Sequence, residues 1–319
     1  MNPTGDRLAR DAKVLITGGD GFVGAHLLRA LAVQRPGWRV VAPSSFGPER
    51  LDVTEMETIR AVLRGETPDV VIHLAGVAAL AEALRAPDTA WAVNAGGVFN
   101  LVSAIREVCP ACRLLHVSSA EVYGLSLETD APTDEMALLR PLSLYAATKA
   151  AGEMVVGQAA RAGLASVIVR PFNHIGPGQS ETFVAASFAA QIARIEAGLQ
   201  PPILSVGSLE EERDFLAVED VVDAYLAILD APVFAPEAVF NIASGAATRI
   251  GDLLEILLSL SPSTIQVRQD PARLRPSPLR RAIGDASRLR QAVGWAPRRS
   301  LNDTLQAVLD DQRARLRGS

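Results

Sequence analysis

The sequence predicts an α/β fold built on an open, doubly wound parallel sheet. Short runs rich in β-branched and apolar residues are typical of buried strands, and helical stretches separate them through the first half of the chain. A glycine-rich turn joins the first strand to the first helix, an arrangement typical of dinucleotide sites. The chain has 319 residues, of which 49% are hydrophobic, so it can bury a large core.

Charge and composition narrow the classes of partner. The net charge is -5 and no basic block stands out, so nucleic acid is not an expected partner. No apolar run reaches membrane-spanning length, and Met1–Asp11 is polar without a signal-peptide core, so we expect no membrane partner and a cytoplasmic location. Cys109 and Cys112 are expected in a turn between a helix and a strand, and no metal site is predicted.

The first predicted element is a strand over Lys13–Thr17, and a helix follows from about Phe22 to Val33. Between them the glycines have the spacing G-x-x-G-x-x-G. Glycines let the backbone approach a pyrophosphate, and the N-terminus of the helix stabilises its negative charge. The expected dinucleotide contacts are Gly18, Gly21, Phe22, Val23 and Gly24.

The second predicted strand, Trp38–Ala42, bears on the choice of cofactor. A site that prefers NAD usually ends this strand with an acid that binds the ribose 2′-hydroxyl. Here the chain continues Pro-Ser-Ser-Phe-Gly, without an acid. The Ser44 hydroxyl could bind a 2′-phosphate and Arg50 is the nearest cation, so NADP(H) is favoured and NAD(H) remains possible. Asp52 and Val53 are expected at the adenine edge.

The third predicted strand, Asp69–Leu74, ends in small residues that would let a cofactor pass over it. We therefore expect Leu74, Ala75 and Gly76 to contact the cofactor. His73 lies within this apolar strand and is expected to be a core residue with satisfied hydrogen bonds. A helix is predicted from about Thr89 to Val108. Its Asn94 could either pack against the active-site helix or serve as a solvated or capping residue.

A polar set follows the next predicted strand, Arg113–Val117. Ligands of an open α/β sheet lie at the carboxyl ends of its strands, so Ser119 is placed to bind a substrate oxygen. Tyr145 and Lys149 lie four residues apart on a predicted helix over Leu144–Ala162, and residues at this spacing share one face. The ammonium is expected to lower the pKa of the phenol, so that Tyr145 can transfer a proton near neutral pH.

Together, the glycine motif, Ser119 and Tyr145-x-x-x-Lys149 resemble the extended short-chain dehydrogenase/reductase superfamily through nearly the whole chain. The resemblance implies that Tyr145 is the catalytic acid/base, that Lys149 also binds the nicotinamide ribose, and that Ser119 holds the reacting sugar oxygen. Members of this superfamily pair through a helix bundle. A homodimer through a four-helix bundle is therefore implied, formed by the helices at about 89–108 and 144–162.

The same resemblance implies the organisation of the whole chain. It predicts a Rossmann dinucleotide-binding domain over residues 1–172 and a smaller C-terminal lobe, mostly residues 173–319, that binds a nucleotide sugar. Segments at about 213–245 are expected to return to the Rossmann core. Sequence through the second half, from Asn173 to the Arg-Leu-Arg-Pro-Ser segment that contains Arg275, resembles the GDP-6-deoxy-D-mannose reductases.

These enzymes reduce GDP-4-dehydro-6-deoxy-D-mannose to GDP-D-rhamnose, so a GDP-sugar substrate is implied. Arginine binds phosphate oxygens through a planar fork, which makes Arg213 and Arg275 the expected diphosphate ligands. Asn173 and Glu121 are expected to bind the substrate as well.

Three alternatives to reduction stay open. The first is a GDP-mannose 4,6-dehydratase. Many sugar-nucleotide dehydratases carry an Asp-Glu pair directly after the active-site serine or threonine. Here the pair is Ala120-Glu121, which weakens dehydration without excluding it. A 4-epimerase would use the same cofactor site without net consumption of cofactor. A non-catalytic NAD(P)-binding sensor or scaffold is the alternative of another class, although such a protein would be expected to lose the Tyr/Lys pair.

Overall fold

A computed structural model describes residues 8–47, 50–236, 238–274 and 279–317. Its strands, in chain order, are β1 Lys13–Thr17, β2 Arg39–Val41, β3 Val70–His73, β4 Arg113–Val117, β5 Ser166–Pro171, β6 Asn173–Ile175, β7 Ile203–Val206, β8 Glu212–Arg213, β9 Phe215–Ala217, β10 Val239–Ile242, β11 Thr248–Arg249, β12 Gln266–Gln269 and β13 Arg281–Ala282.

The α-helices are α1 Phe22–Gln34, α2 Met56–Glu66, α3 Leu80–Arg85, α4 Pro87–Trp91, α5 Gly97–Val108, α6 Leu144–Arg161, α7 Val184–Glu196, α8 Val218–Leu229, α9 Ile250–Ser259, α10 Ser287–Val293 and α11 Leu301–Arg317. A π-helical turn, Ala92–Gly96, joins α4 to α5, and 3₁₀ turns span Ala120–Leu127 and Pro271–Arg273.

The central sheet is parallel and six-stranded, in the order β10-β5-β4-β3-β1-β2. The chain moves outward from β1 to β2 and then returns to the other side of β1 for β3. Strand order therefore reverses beside β1, and the carboxyl ends of β1 and β3 border the crevice where ligands of such sheets bind.

Both faces of the sheet are covered by helices, as the predicted doubly wound fold requires. Side chains alternate along β1, so Val14 and Ile16 pack with α1 and α8, whereas Leu15 packs on the opposite face with α2, α5 and α6. β3 is buried along its whole length, which is the pattern of a parallel strand between two helical layers.

A second apolar cluster lies in the C-terminal half. It is formed mainly by α7, α9 and α11, which pack with residues of β7 and β9. Short strand pairs accompany it: β7 with β12, β6 with β9, and β8 between β11 and β13. β10 lies outside this cluster and pairs with β5 at the edge of the central sheet.

The helix predicted from Thr89 to Val108 is interrupted. Its N-terminal part is α4, its C-terminal part is α5, and the π-helical turn between them contains Asn94. The wider turn adds a residue to the helix, which a prediction from regular periodicity does not detect.

The expected turn between a helix and a strand is confirmed at Cys109 and Cys112, which are free thiols between α5 and β4. Within the described ranges, no helix has both the length and the apolar character needed to cross a bilayer. Across the same residues, histidine, cysteine and carboxylate side chains form no cluster of three that could hold a metal ion.

Candidate active site

The glycine turn after β1 is packed too closely for side chains at its first and last glycines. Gly18 has φ +71°, and a Cβ there would lie 2.7 Å from the backbone nitrogen of Ala75. A Cβ on Gly24 would lie 2.5 Å from the carbonyl oxygen of Gly18. Gly21 is the N-cap of α1 and supplies no side-chain cap, so Phe22 and Val23 open the helix with backbone N–H groups toward the turn. Such an N-terminus suits a pyrophosphate.

The segment after β3 is fixed by the buried amide of Asn94. Its Oδ1 accepts a hydrogen bond from the Val77 backbone nitrogen at 2.9 Å, and its Nδ2 donates to the Val77 oxygen at 3.1 Å and to Thr148 Oγ1 at 3.0 Å. Of the two roles considered for Asn94, packing against the active-site helix is confirmed. A Cβ on Gly76 would lie 3.0 Å from Asn94 Oδ1, so this glycine makes room for the amide.

The carboxyl ends of β1 and β3 are joined by side chains. His73 Nδ1 lies 2.7 Å from Thr17 Oγ1, which also accepts a hydrogen bond from the Ala75 nitrogen at 3.3 Å. Burial first, and then the charge of Lys149, lower the pKa of His73 to about 3. His73 is therefore neutral at physiological pH. Its predicted place in the core is confirmed, but the expectation that its hydrogen bonds are satisfied is wrong for Nε2, which has no partner within the described residues. Leu74 and Ala75 follow it beside Gly18.

The end of β2 brings together Ser44 and a residue that the sequence analysis did not select. Ser44 Oγ donates a hydrogen bond to Asp20 Oδ2 at 3.2 Å. Asp52 Oδ1 accepts from the backbone nitrogen and hydroxyl of Thr54, at 2.9 and 2.7 Å. Val53 is buried against α5. Asp20 stands inside the glycine motif, so the sequence alone could have identified it as an acid close to the expected dinucleotide site.

Ser119, Tyr145 and Lys149 come together at the carboxyl end of β4. Ser119 Oγ caps the following 3₁₀ turn by accepting from the Glu121 nitrogen at 3.2 Å, and its hydroxyl lies near enough to the Tyr145 phenol to affect the pKa of that phenol. α6 begins after Ser143, whose Oγ accepts from the Ala146 nitrogen at 3.1 Å. One turn beyond Tyr145, Lys149 donates from Nζ to the Val117 carbonyl at 2.6 Å.

The phenol is more strongly protonated than expected. Burial raises the pKa of Tyr145 to about 12. The neighbouring Ser119 hydroxyl lowers this pKa, and the Glu121 charge raises it further. The prediction that Lys149 lowers the phenol pKa is therefore wrong for this structure. Burial also lowers the pKa of Lys149 to about 8, opposed by the charge of Glu153. At both residues, desolvation outweighs the local interaction that opposes it, which is the Ser119 hydroxyl at Tyr145 and the Glu153 charge at Lys149.

Glu121 connects this cluster to the C-terminal half. Burial raises the pKa of its carboxyl group, and the charge of Arg213 lowers it. Arg213 lies on β8, where its guanidinium donates to the Glu212 oxygen at 2.9 Å and the Leu279 oxygen at 3.2 Å. These carbonyl groups hold Arg213 in a half-buried position near the Glu121 carboxyl group.

A cavity of about 630 Å³ adjoins Arg213, a size suited to a small organic ligand. Hydroxyl and charged groups line it, including Ser187, Ser208 and Arg273. Arg273 was not selected from the sequence, although it stands in the same Arg-rich segment as Arg275. Its Nη1 lies 3.4 Å from Ser187 Oγ. Arg275 lies outside the described residues, so its predicted role is not assessed.

Asn173 is not among the residues that line this cavity. It is exposed at the first position of β6 and pairs in register with Phe215 on β9. Its predicted contact with substrate stays a prediction.

The chain resembles known nucleotide-sugar enzymes over almost its full length. GDP-6-deoxy-D-mannose reductase of Pseudomonas aeruginosa is 38% identical over 306 residues, which cover 96% of this chain and 98% of that protein. GDP-6-deoxy-D-talose 4-dehydrogenase of Aggregatibacter actinomycetemcomitans is 26% identical, covering 88% of this chain and 91% of the relative.

Solved structures agree with this result. The structure of RMD from Pseudomonas aeruginosa complexed with NADPH superposes with a TM-score of 0.87 at 37% identity, covering 95% of this chain and 99% of that one. UDP-glucose 4-epimerase of Thermus thermophilus in complex with NAD superposes with a TM-score of 0.81 at 26% identity, covering 94% and 99%. The predicted Rossmann-like fold is confirmed.

A family model describing the NAD dependent epimerase/dehydratase family matches residues 14–243. That range contains the glycine turn, the Ser119–Tyr145–Lys149 cluster and Arg213. The chain belongs to the NAD dependent epimerase/dehydratase family.

Proposed function

We propose that this chain reduces the C4 ketone of GDP-4-dehydro-6-deoxy-D-mannose to give GDP-D-rhamnose, with NAD(P)H as the hydride donor and NADPH favoured. The observation that carries the proposal is the buried Tyr145 phenol, which lies beside Ser119 on the helix that also carries Lys149, and burial raises its pKa to about 12. A reductase needs its acid in the protonated form. The full-length similarity to a GDP-6-deoxy-D-mannose reductase supports the choice of substrate.

The residues present fit a nicotinamide dinucleotide. The turn bounded by Gly18 and Gly24 leaves no room for side chains, and the N-terminus of α1 faces it, which suits a pyrophosphate. Ala75 and Gly76 keep the end of β3 free of bulky side chains. Lys149 would bind the nicotinamide ribose from α6. The bound dinucleotide would supply the hydride that reduces the C4 ketone.

The acid chemistry belongs to two side chains. As negative charge develops on the C4 oxygen, Tyr145 donates its phenolic proton to that oxygen, and the Ser119 hydroxyl donates a hydrogen bond to it. Because burial raises the pKa of Tyr145 to about 12, the proton is present throughout the neutral range.

The cavity beside Arg213 is the proposed site of the GDP moiety. Arg213 and Arg273 both line it, and two arginines suit the charge of a diphosphate. Glu121 lies between this cavity and the catalytic cluster, where it would bind sugar hydroxyls. We assign the same role to Asn173 and a further phosphate contact to Arg275. In this proposal the lobe within residues 173–319 binds the nucleotide sugar.

Dehydration of GDP-mannose is the second candidate, and one observation favours it. Burial raises the pKa of the Glu121 carboxyl, which brings this group closer to the range useful for proton transfer. Only one carboxyl follows Ser119, however, whereas removal of the C5 proton and departure of the C6 hydroxyl need a base and an acid. Epimerisation at C4 would consume no cofactor and is separated by the same experiment.

Purified protein supplied with GDP-4-dehydro-6-deoxy-D-mannose and NADPH provides the test. We expect stoichiometric loss of nicotinamide absorbance and formation of GDP-D-rhamnose, with NADH measured in parallel. A protein that leaves NADPH unconsumed but converts GDP-mannose to a 4-keto product would be a dehydratase. Absence of turnover with any sugar nucleotide, despite dinucleotide binding, would favour a sensor or scaffold.

We also propose a homodimer that buries α5 and α6 of each copy. Large apolar side chains are exposed along this side of the molecule, including Trp91, Phe99 and Met154. Phe99→Glu should give a monomer in light scattering while the wild type is a dimer. A wild-type monomer at micromolar concentration would contradict the proposal. The free thiols of Cys109 and Cys112 support a cytoplasmic location, which cell fractionation would test.

A further inference from the structure

The glycine turn lies directly against the end of β2. A Cβ on Gly19 would lie 2.7 Å from the Cβ of Ala42, the residue that follows β2. Asp20 comes next in the turn, and its Oδ2 accepts a hydrogen bond from Ser44 Oγ at 3.2 Å. The turn therefore brings a carboxylate to the position that β2 itself leaves without an acid.

This position matters for the adenosine ribose of a bound dinucleotide. In dinucleotide-binding sheets of this kind, an acid at the end of the second strand accepts a hydrogen bond from the ribose 2′-hydroxyl, whereas a cation there accommodates a 2′-phosphate. Arg50, the first cation that follows Ser44 along the chain, is already paired with Glu55 at 2.5 Å. Asp20 and Ser44 are both exposed, so a ligand can reach them.

We propose that Asp20 helps to determine cofactor preference, because its carboxylate lies beside the site of the ribose 2′ substituent. It thereby reduces the affinity for NADPH relative to that for NADH. The inference rests on the proposed use of a nicotinamide dinucleotide. Ser44 holds the carboxylate in place through the observed hydrogen bond. The hydroxyl that appeared available for a 2′-phosphate is thus already engaged by a group of like charge to that phosphate.

The chemistry gives the direction for each cofactor. An ionised carboxylate accepts a hydrogen bond from the 2′-hydroxyl of NAD(H) and repels the 2′-phosphate of NADP(H). For a carboxylate and a phosphate that are both exposed to water, we expect the repulsion to change the affinity about fivefold, and salt weakens it. Replacing Asp20 with a neutral residue should therefore favour the phosphorylated cofactor.

Isothermal titration of NADP⁺ and NAD⁺ into Asp20→Asn and wild-type protein tests this inference. We expect the dissociation constant of NADP⁺ to fall about fivefold at low ionic strength, and that of NAD⁺ to stay constant or rise. The gain for NADP⁺ should shrink in high salt. Because no sugar nucleotide is present, the result does not depend on which reaction the enzyme performs.

Glu57→Gln is the matched control. Glu57 is 77% exposed on α2, and its replacement changes the net charge by the same amount. It should leave the ratio of the two dissociation constants unchanged. An unchanged ratio in Asp20→Asn, or an equal change in Glu57→Gln, would overturn the proposal.

Discussion

The two regions proposed to bind ligands are built by different means. Around β1, the dinucleotide site depends on close backbone packing, with Gly18 and Gly24 in positions that tolerate no side chain. Around the cavity in the C-terminal half, short strands and turns present charged side chains such as Arg213 and Arg273. The proposed catalytic cluster of Ser119, Tyr145 and Lys149 lies between them. Backbone geometry leaves a local glycine pattern in a sequence, whereas a set of converging side chains does not.

The largest effect is expected at the junction of the two regions. Tyr145→Phe removes the phenolic proton while keeping the ring, so kcat should fall by about 100- to 10,000-fold. Dinucleotide affinity should be nearly unchanged, because the glycine turn is untouched. Stopped-flow or steady-state rates combined with a titration of NADPH would measure both quantities.

Tyr225→Phe is the matched control for this variant. Tyr225 is buried in the main core, and its hydroxyl has no hydrogen-bond partner within the described residues, so its loss should leave kcat close to the wild-type value. Wild-type turnover in Tyr145→Phe would refute the assignment of the catalytic acid.

The next largest effect is expected at the cavity in the C-terminal half, which is lined by charged side chains. Arg213→Ala removes charged hydrogen-bond donors, and such bonds contribute about 1.5–3 kcal/mol each, so KM for the sugar nucleotide should rise about 10- to 100-fold. The dissociation constant of NADPH should not change. Arg64→Ala, on the exposed face of α2, is the control. An equal loss of affinity for the sugar nucleotide and for NADPH in Arg213→Ala would contradict the proposal that the two ligands bind at separate regions.

A smaller effect is expected at the glycine turn, where close backbone packing leaves no room for a side chain at Gly24. A Cβ at Gly24 would lie within 2.6 Å of the carbonyl oxygens of both Gly18 and Gly19, so the turn must shift. We expect Gly24→Ala to weaken NADPH binding about tenfold and to destabilise the fold by about 1–3 kcal/mol. Chemical denaturation and ligand titration would measure these changes.

The control for this variant is Gly65→Ala, on α2. A Cβ there would contact nothing within 4 Å, so the substitution should stabilise the protein by about 0.5–1 kcal/mol. Full NADPH affinity in Gly24→Ala would show that the close packing of the turn is not required for binding.

The smallest effect concerns the pH dependence of stability. Burial lowers the pKa of folded Lys149 to about 8, from an ordinary value near 10.5. Between these values the unfolded chain binds the lysine proton and the folded chain has released it, so this residue makes the free energy of unfolding rise with pH. The expected slope is about 1 kcal/mol for each pH unit.

Lys149→Met should remove that contribution, and it should also be more stable than the wild type near pH 7, where the buried charge is unfavourable. Urea denaturation of both proteins at pH 7, 8, 9 and 10 would measure the difference. Parallel pH profiles for the two proteins would contradict the lowered pKa.

Much of the fold and of the catalytic cluster followed from the sequence because their signals are local. β1 and β4 begin and end at the predicted residues, and α6 ends one residue earlier than predicted. The Tyr145 and Lys149 pair needed only helical spacing to be placed on one face. Ser119 needed only its position after a strand.

The errors and omissions share another origin. The pKa of Tyr145 depends on how completely distant segments exclude water from it, and no local pattern encodes that burial. Asp20 acquires its position from contact with Ser44, in a separate turn. Arg273 joins the cavity through the packing of the C-terminal half. The pKa of Tyr145 and the positions of Asp20 and Arg273 all depend on contacts between segments that are far apart in sequence.

The π-helical turn at Ala92–Gly96 has a consequence for insertions and deletions. Removing one residue there would restore a regular helix, but it would rotate the preceding segment by about 100° relative to α5. Asn94 could then no longer span from Val77 to Thr148, and the end of β3 would lose its connection to the catalytic helix. We expect such a deletion variant to keep its helical circular dichroism and lose turnover. The number of residues in this turn therefore fixes where Asn94 lies between the end of β3 and α6.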